Sequence, residues 1–559
     1  MATFADSLSV VLVCVSLFDR EVNCRRAAAS AFQESVGRQH QFSKGIDIIQ
    51  LVDFFSVVNR MESFVNVSFE VAKFVEYRRG LIDHLVKYKV YHWDVNIRQL
   101  ASQSIAKIAT LEAKFVHDFV LPKLIADCFS NDLNSRHGAI VTIASILLST
   151  YHLCPITPQR QHEIVSIIPQ LEKEKLYRGK GGEIIRSAML ALIESIAILK
   201  ISLNITINDN NNTNAKSGPF QKSVPQIYQD FLDDNLKHPN EDTQEMAVKS
   251  LKQFFLNCYS YPPKKAAYNL VERYLKTFST SFEMPYVRRG LALALGVLPA
   301  AFILGQNYQD SVIDNLIKCS EIESNSQSRD AESRRNAVRS IVNVVENVGL
   351  DNLNQIQISK IWNCLIKAMQ DYSIDNRGDV GRFVREQALD SLKRLTVLIL
   401  SFQQQQKTPQ SIMNQDKTVQ LFNAILQQCV EKIDNIRVIA GKILAFFLYP
   451  NVVSLQQLEI PQRKFMESLF PHELLLSSDF SWGSMACTFS KFSSLLAVNE
   501  FRHSLLLGFI ASVGGLNKSP VIDTNNDFIA HLIKLSSSEE FSMVNDTTIL
   551  FFLGSGSQK

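Results

Sequence analysis

A chain of 559 residues is longer than one ordinary hydrophobic core organises, so it predicts several domains or a stacked repeat. Its 46% apolar content marks a globular chain, and a net charge of +3 lacks the basic surplus of a nucleic-acid binder. The nine cysteines are scattered singly without a CxxC pair, and the eleven histidines show neither HExxH nor HxxxH spacing. That pattern predicts buried thiols in a reducing compartment and no metal or cofactor site.

In chain order, the first signal is the apolar run Ser7 to Phe18. Asp6 stands where a signal peptide would be positive, and the run is too short to span a bilayer, so a cytoplasmic chain without membrane insertion is expected. Apolar residues then recur at intervals of three and four along almost the whole chain, which predicts an all-α fold. A short module recurs with them: a turn Asp or Asn, an Arg opening a helix, and an Ala one turn later. It appears at Arg25, at Asp94 with Arg98, at Arg136, at Arg186, at Arg288, at Arg334, at Arg385 and at Asp434 with Arg437; at Gln244 a Gln replaces the Arg. The best-preserved copy is Asp371 to Leu400, where the polar turn Asp375-Asn376-Arg377-Gly378-Asp379 opens a helix whose stripe is Val384, Ala388, Leu392 and Leu395. From Arg98 onward the anchors lie roughly 40 to 60 residues apart, the length of two antiparallel helices with their turns.

This spacing predicts a HEAT/armadillo-like helical-repeat solenoid, a superhelix of stacked pairs. A turn Asp satisfies the orphan N–H groups of the helix it opens. An Arg in the first turn opposes its own helix dipole, so it is expected to bond an Asp or carbonyls of the neighbouring repeat, forming a structural ladder. The expected partition is 1–203, a first block of repeats; 204–226, an Asn-rich disordered insert; 227–450, a second block; 451–535, a C-terminal helical region; and 536–559, an atypical tail. The polar stretches 321–332 and 403–415 are expected to be loops, and the apolar run Gly290 to Gly305, interrupted by Pro299, a buried helix.

Catalytic signals are missing. Tyr177 to Gly182 looks like a phosphate loop, but Lys180 is followed by Gly181, so it is expected to be a turn feeding a helix. Asp375 to Gly378 matches a four-letter GTPase fragment without a phosphate loop to support it. No local arrangement of Ser, His and Asp suggests a nucleophile. The residues thus predict a non-enzymatic binding protein, with a transport-receptor or phosphatase-regulatory scaffold as one class.

Specific strings go further. Cys24 to Gln39, Gly45-Ile46-Asp47-Ile48, Ile82-Asp83-His84-Leu85, Leu176-Tyr177-Arg178-Gly179 and Ala331 to Arg335 resemble the tubulin-specific chaperone D family, also called tubulin-folding cofactor D. So do Asp371-Tyr372 with Arg377-Gly378-Asp379-Val380-Gly381, Leu469-Phe470-Pro471 and Ser512 to Leu516. The resemblance runs collinearly from about residue 17 to about residue 516, leaves Met1 to Ser16 and the tail after Ser536 outside, and corresponds to the C-terminal half of a family roughly twice this length. It implies a scaffold that binds β-tubulin and assembles the αβ heterodimer with cofactors C and E. Promotion of GTP hydrolysis by tubulin, and binding of an Arf-like small GTPase, are implied with it. The turn residues Asp375, Arg377, Asp379 and Arg382 are the candidate partner contact.

Overall fold

The computed structural model describes residues 4–39, 42–204, 222–260, 263–281, 284–325, 329–406 and 412–513. Most of the Asn-rich insert expected at 204–226, part of the Gln-rich stretch at 403–415 and the whole tail at 536–559 lie outside the described residues. Within them the fold is all-α and built from helical repeats. The only described strands form a small hairpin, Ile374–Asp375 antiparallel to Gly378–Asp379.

Helices begin where the sequence supplies an acceptor. Asp94, Asp132, Asn240, Asp330 and Asn414 each accept a backbone N–H from the first turn that follows. Asn354 and Gln357 close a reciprocal capping box. Each such cap is worth about 1 kcal/mol.

The chain divides into two compact units, 1–264 and 265–559. In the first, the helix Val95–Ala109 packs on Leu133–Thr150, which packs on Gly182–Ile198, which packs on Glu241–Cys258. In the second, Pro285–Leu295, Ala331–Val348, Gly381–Gln406 and Asp434–Leu448 stack in the same way. The shared faces are apolar: Ile97, Ala101, Ile105, Ile140 and Ile143 are fully buried in the first unit. Val338, Ile341, Val384, Ala388 and Leu392 do the same in the second. Burying each large aliphatic chain contributes about 1.5–3 kcal/mol, and truncating Ile341 to Ala would cost about 2–5 kcal/mol.

One expectation needs correction. The run Gly290 to Gly305 is two helices, Pro285–Leu295 and Ala300–Leu304. Pro299 has no N–H to continue the first helix and instead sits extended at the start of the second, at φ −61° and ψ 146°. The described residues from 321 to 330 form a loop, as expected; Glu323 and Asp330 in it, and Glu332 in the helix that follows, pair with arginines of the stack. Past Tyr449 the module fades, yet the helix Asn499–Val513 returns onto Gln415–Cys429. Gly508 permits that approach, since a Cβ there would lie 2.4 Å from the Gln427 carbonyl oxygen.

Candidate interaction site

The seven ladder arginines Arg25, Arg98, Arg136, Arg288, Arg334, Arg385 and Arg437 are all at most 6% exposed. Each stands in the first turn of its helix, at the wrong end of that helix's dipole. Four of them resolve this by turning back to the carbonyls of the preceding segment. Arg25 donates to Asp19 and Arg20 at 2.9 and 3.0 Å. Arg98 donates to His92 and Trp93 at 2.6 and 2.9 Å. Arg136 reaches Ser130 at 2.8 Å, and Arg437 reaches Glu431 and Lys432 at 2.6 and 2.8 Å. The acceptors lie six and five residues back, so one sequence spacing produces one geometry. Gln244 keeps it by donating to the His238 carbonyl at 2.7 Å.

The rest of each guanidinium fork crosses to the following turn. Arg25 bonds the Val57 and Val58 carbonyls, both at 2.8 Å. Arg98 bonds the Asn134 side chain at 2.9 Å and His137 Nδ1 at 3.0 Å. Arg136 bonds the Leu176 carbonyl at 2.5 Å, and Arg437 the Gly483 carbonyl. Arg186 joins the pattern through Asp234 at 2.7 Å. Asp94, besides capping its helix, lies 3.3 Å from the Arg20 guanidinium, and the exposed Asp434 accepts from Arg437 at 2.6 Å.

Between residues 288 and 385 the acceptors become carboxylates. Glu323 is shared by Arg288 at 2.6 Å and Arg334 at 3.0 Å. Arg334 also holds Asp371 at 2.7 Å and the Ser373 hydroxyl at 2.6 Å. Arg385 bonds Asp379 at 2.8 Å, the Asp371 carbonyl at 2.6 Å and Gln428 at 3.1 Å. Beside this row, Arg289 pairs with Asp330, and Glu332 lies between Arg289 at 3.2 Å and Arg377 at 2.5 Å. Burial opposes ionisation of Asp330, but its bonds from Arg289 and Ser333 prevail and hold its pKa down at about 2. Burial likewise opposes the charge on Asp371, whose bonds from Ser373 and Arg334 keep it below the usual carboxylate range. Such pairs add little over well-packed apolar residues, but losing one partner strands the other. Their effect is therefore to fix which turn meets which helix.

The four residues of the predicted contact turn have separate surroundings. Asp375 accepts the Arg377 backbone N–H at 2.7 Å and its guanidinium at 2.8 Å. Arg377, 52% exposed, anchors the hairpin to Glu332. Asp379 accepts the Arg382 backbone N–H at 3.1 Å and pairs with the buried Arg385, so it belongs to the ladder. Arg382 lies over the Phe383 ring, 4.7 Å from its centroid. Gly378 takes φ +97°, which closes the hairpin without a Cβ penalty, and Ile374 stands 75% exposed beside it. The tip thus presents an exposed apolar side chain and an ion pair on its surface.

No ladder role was expected from the sequence for Glu323, Asp330, Glu332, Asp371 or His137, although Asp371 and Glu332 stand in the strings that carry the resemblance. Only Asp330, immediately before the Ala331-Glu332-Ser333-Arg334 string and three residues before Ser333, had a legible cap signal. The Tyr177–Gly182 stretch is a turn with Gly179 at φ +97° and Gly181 at +80°, and it feeds the helix Gly182–Ile198. A Cβ on Gly182 would lie 2.1 Å from the Tyr177 carbonyl oxygen. All nine cysteines are unpaired. Among the described residues no cluster of His, Cys, Asp or Glu could hold a metal, and no helix is long and apolar enough to cross a membrane.

Stacked antiparallel helices cross-tied by buried arginines define an armadillo-like helical-repeat protein. Two family models match the chain: "Tubulin-specific chaperone D-like, ARM repeats" over residues 1–46 and "Tubulin folding cofactor D C terminal" over residues 419–552. A tubulin-specific chaperone D from Dictyostelium discoideum is 28% identical, covering 92% of this chain and 40% of the relative. A tubulin-folding cofactor D from Schizosaccharomyces pombe is 22% identical, covering 78% of this chain and 36% of the relative. The chain is thus similar to the tubulin-specific chaperone D family along most of its length, and it spans about 40% of the length of the first of these relatives. The family match takes in Met1 to Ser16 and reaches residue 552, so it is wider at both ends than the strings alone imply. Among solved structures, Kap95p with RanGDP and a Kap95:Nup1 complex are each 13% identical with a TM-score of 0.42. They cover 95% and 98% of this chain, and 70% and 75% of their own.

Proposed function

We propose that this chain is a tubulin-folding scaffold that binds β-tubulin in the cytoplasm and helps assemble the αβ heterodimer. Cofactors C and E are its proposed co-workers and an Arf-like small GTPase its proposed regulator. The observation that carries the reading is similarity along 92% of the chain to a relative named for tubulin. The geometry is compatible with it: buried cross-ties hold the repeat turns in register, which suits a surface that must present a fixed face to a folded client. Stimulation of GTP hydrolysis would then act on tubulin's own nucleotide. The surface of the 374–379 hairpin is the proposed point of contact, through Ile374 and Arg377.

The test is co-elution of the purified chain with tubulin on size exclusion, followed by the rate of tubulin GTP hydrolysis with cofactors C and E added. A shifted tubulin peak and a raised rate are expected. Recovery from cytosol of Ran-type GTPases or phosphatase catalytic subunits, with tubulin left behind, would instead assign the chain to the general helical-repeat scaffolds. Ile374→Asp with Arg377→Ala should weaken tubulin capture at unchanged melting temperature; full capture by that variant would remove the hairpin from the interface.

A further inference from the structure

Beyond the last ladder arginine, the helix Asp434–Leu448 and the segment 472–482 enclose a cleft of about 460 Å³, within the size range of ligand pockets. Its wall is built. The Trp482 ring lies so close to Gly441 that a Cβ there would come within 2.2 Å of the indole. Arg437, a ladder residue, bonds the carbonyl of the adjacent Gly483. Phe480 meets the Trp482 ring edge-on at 5.0 Å, and Phe470 supports its other side at 5.2 Å. The indole is thereby fixed yet remains only half-buried.

The lining combines this aromatic wall with Val438 and Leu475, and Leu476 stands 74% exposed at the mouth. The polar groups among the lining are Lys442, His472, Tyr449 and Ser481; no carboxylate lines it. Lys442 is exposed and has no ion-pair partner among the described residues. A second opening shares Tyr449 and His472 and adds Arg463, again without a lining carboxylate. Arg463 is already paired with Glu467 at 2.9 Å, so Lys442 is the charged lining residue without an ion pair among the described residues, while Glu473 lies beside the cleft within reach of Tyr449.

We propose that this cleft binds an acidic peptide segment of a partner protein, seating a large apolar side chain against Trp482 and a carboxylate on Lys442. The commitment to an acidic ligand rests on that charge asymmetry: an apolar pocket with an unmatched ammonium group favours a carboxylate beside the inserted side chain and disfavours a basic one. His472, which also lines the cleft, offers a ring N–H to the peptide backbone or to the same carboxylate. Tubulin binding is not required for this assignment.

The test is fluorescence anisotropy of the intact chain with three short fluorescein-labelled peptides: Glu-rich around one Phe, Glu-rich without Phe, and Lys-rich around one Phe. Saturable binding is expected for the first and at least about fivefold weaker binding for the others, the scale of one partly solvated ion pair or one seated side chain. Lys442→Glu should weaken the first peptide by about fivefold or more and reduce its salt dependence, with melting unchanged. Leu476→Asp, on the exposed rim, should weaken it without affecting the fold. Equal binding of all three peptides, absence of saturation, or indifference to both variants would overturn the assignment. Tubulin co-elution can fail while this binding survives, so the two readings fall separately.

Discussion

Arg334 is fully buried and holds two carboxylates and a hydroxyl, whereas Arg98, equally buried, holds carbonyls, an amide and an imidazole. The difference sets what each would cost to remove. Arg334→Ala leaves Asp371 and Glu323 charged without their shared partner, a loss of about 3–5 kcal/mol. Arg98→Ala leaves neutral acceptors unpaired and should cost about 1.5–3 kcal/mol. Arg334→Lys keeps the charge but not the fork that spans both carboxylates, so it should rescue only in part. Hydrogen exchange of the 331–348 and 381–406 helices measures the first variant, and of 95–109 and 133–150 the second. Equal losses would mean that the carboxylate rungs behave no differently from the carbonyl rungs.

An element-scale distinction separates the hairpin from the helix it opens. Asp379 both caps the 381–406 helix and pairs with Arg385, so Asp379→Ala should lower stability by about 3 kcal/mol, by cap loss added to a buried guanidinium left with Glu431 at 3.7 Å. Arg377→Ala, at a half-exposed site, should cost no more than about 1 kcal/mol. Gly381→Ala should be worse tolerated than Gly378→Ala in packing terms, because its Cβ would lie 2.1 Å from the Asp371 carbonyl oxygen while Gly378 faces open space. Thermal melts of the four variants rank these effects, and a melt of Asp379→Ala matching that of Arg377→Ala would contradict the ladder role. These elements also show what a sequence can disclose. The turn at Gly378, the apolar stripe of Val384, Ala388 and Leu392, and the period of the arginines are local patterns, legible because helix geometry converts spacing into a face. The partners of those arginines were not legible, since Glu323 and Arg288 meet only across 35 residues of intervening chain. The cleft at Trp482 was hidden for the same reason: Gly441, Lys442 and Trp482 become neighbours only after the chain folds back.

At the scale of the whole molecule, the two units carry different titratable groups. In the first, burial pushes His137 down to about 4, helped by the Arg98 guanidinium whose N–H its Nδ1 accepts. His84 falls to about 4 as well, through burial and then Lys89. These imidazoles are neutral when folded, and the unfolded chain takes up protons first, near pH 6.5. Their contribution to stability is therefore complete above about pH 6.5 and shrinks as pH falls toward 4. In the second unit the depressed buried carboxylates are Asp330, at about 2, and Asp371, held below the usual range. A depressed carboxylate stabilises above its unfolded value near 3.9, and that contribution is lost as pH falls below it toward 2. Asp94 and Asp132 are lowered too, but in the first unit and at more exposed caps, so their weight is smaller. Repeat stacks unfold locally, since each helix pair depends mainly on its neighbours. Acid should consequently loosen the two units in different windows: helices 95–109 and 133–150 should lose hydrogen-exchange protection between about pH 6.5 and 4, and helices 331–348 and 381–406 mainly below about pH 4. Pulse-labelling exchange at stepped pH, read by mass spectrometry, resolves the two sets of peptides. His137→Gln, which removes the titration while keeping a side chain able to accept from Arg98, should flatten the upper window and leave the lower one in place. Simultaneous loss of protection in both units at every pH would show that they unfold as one cooperative body and that these groups do not set their acid limits.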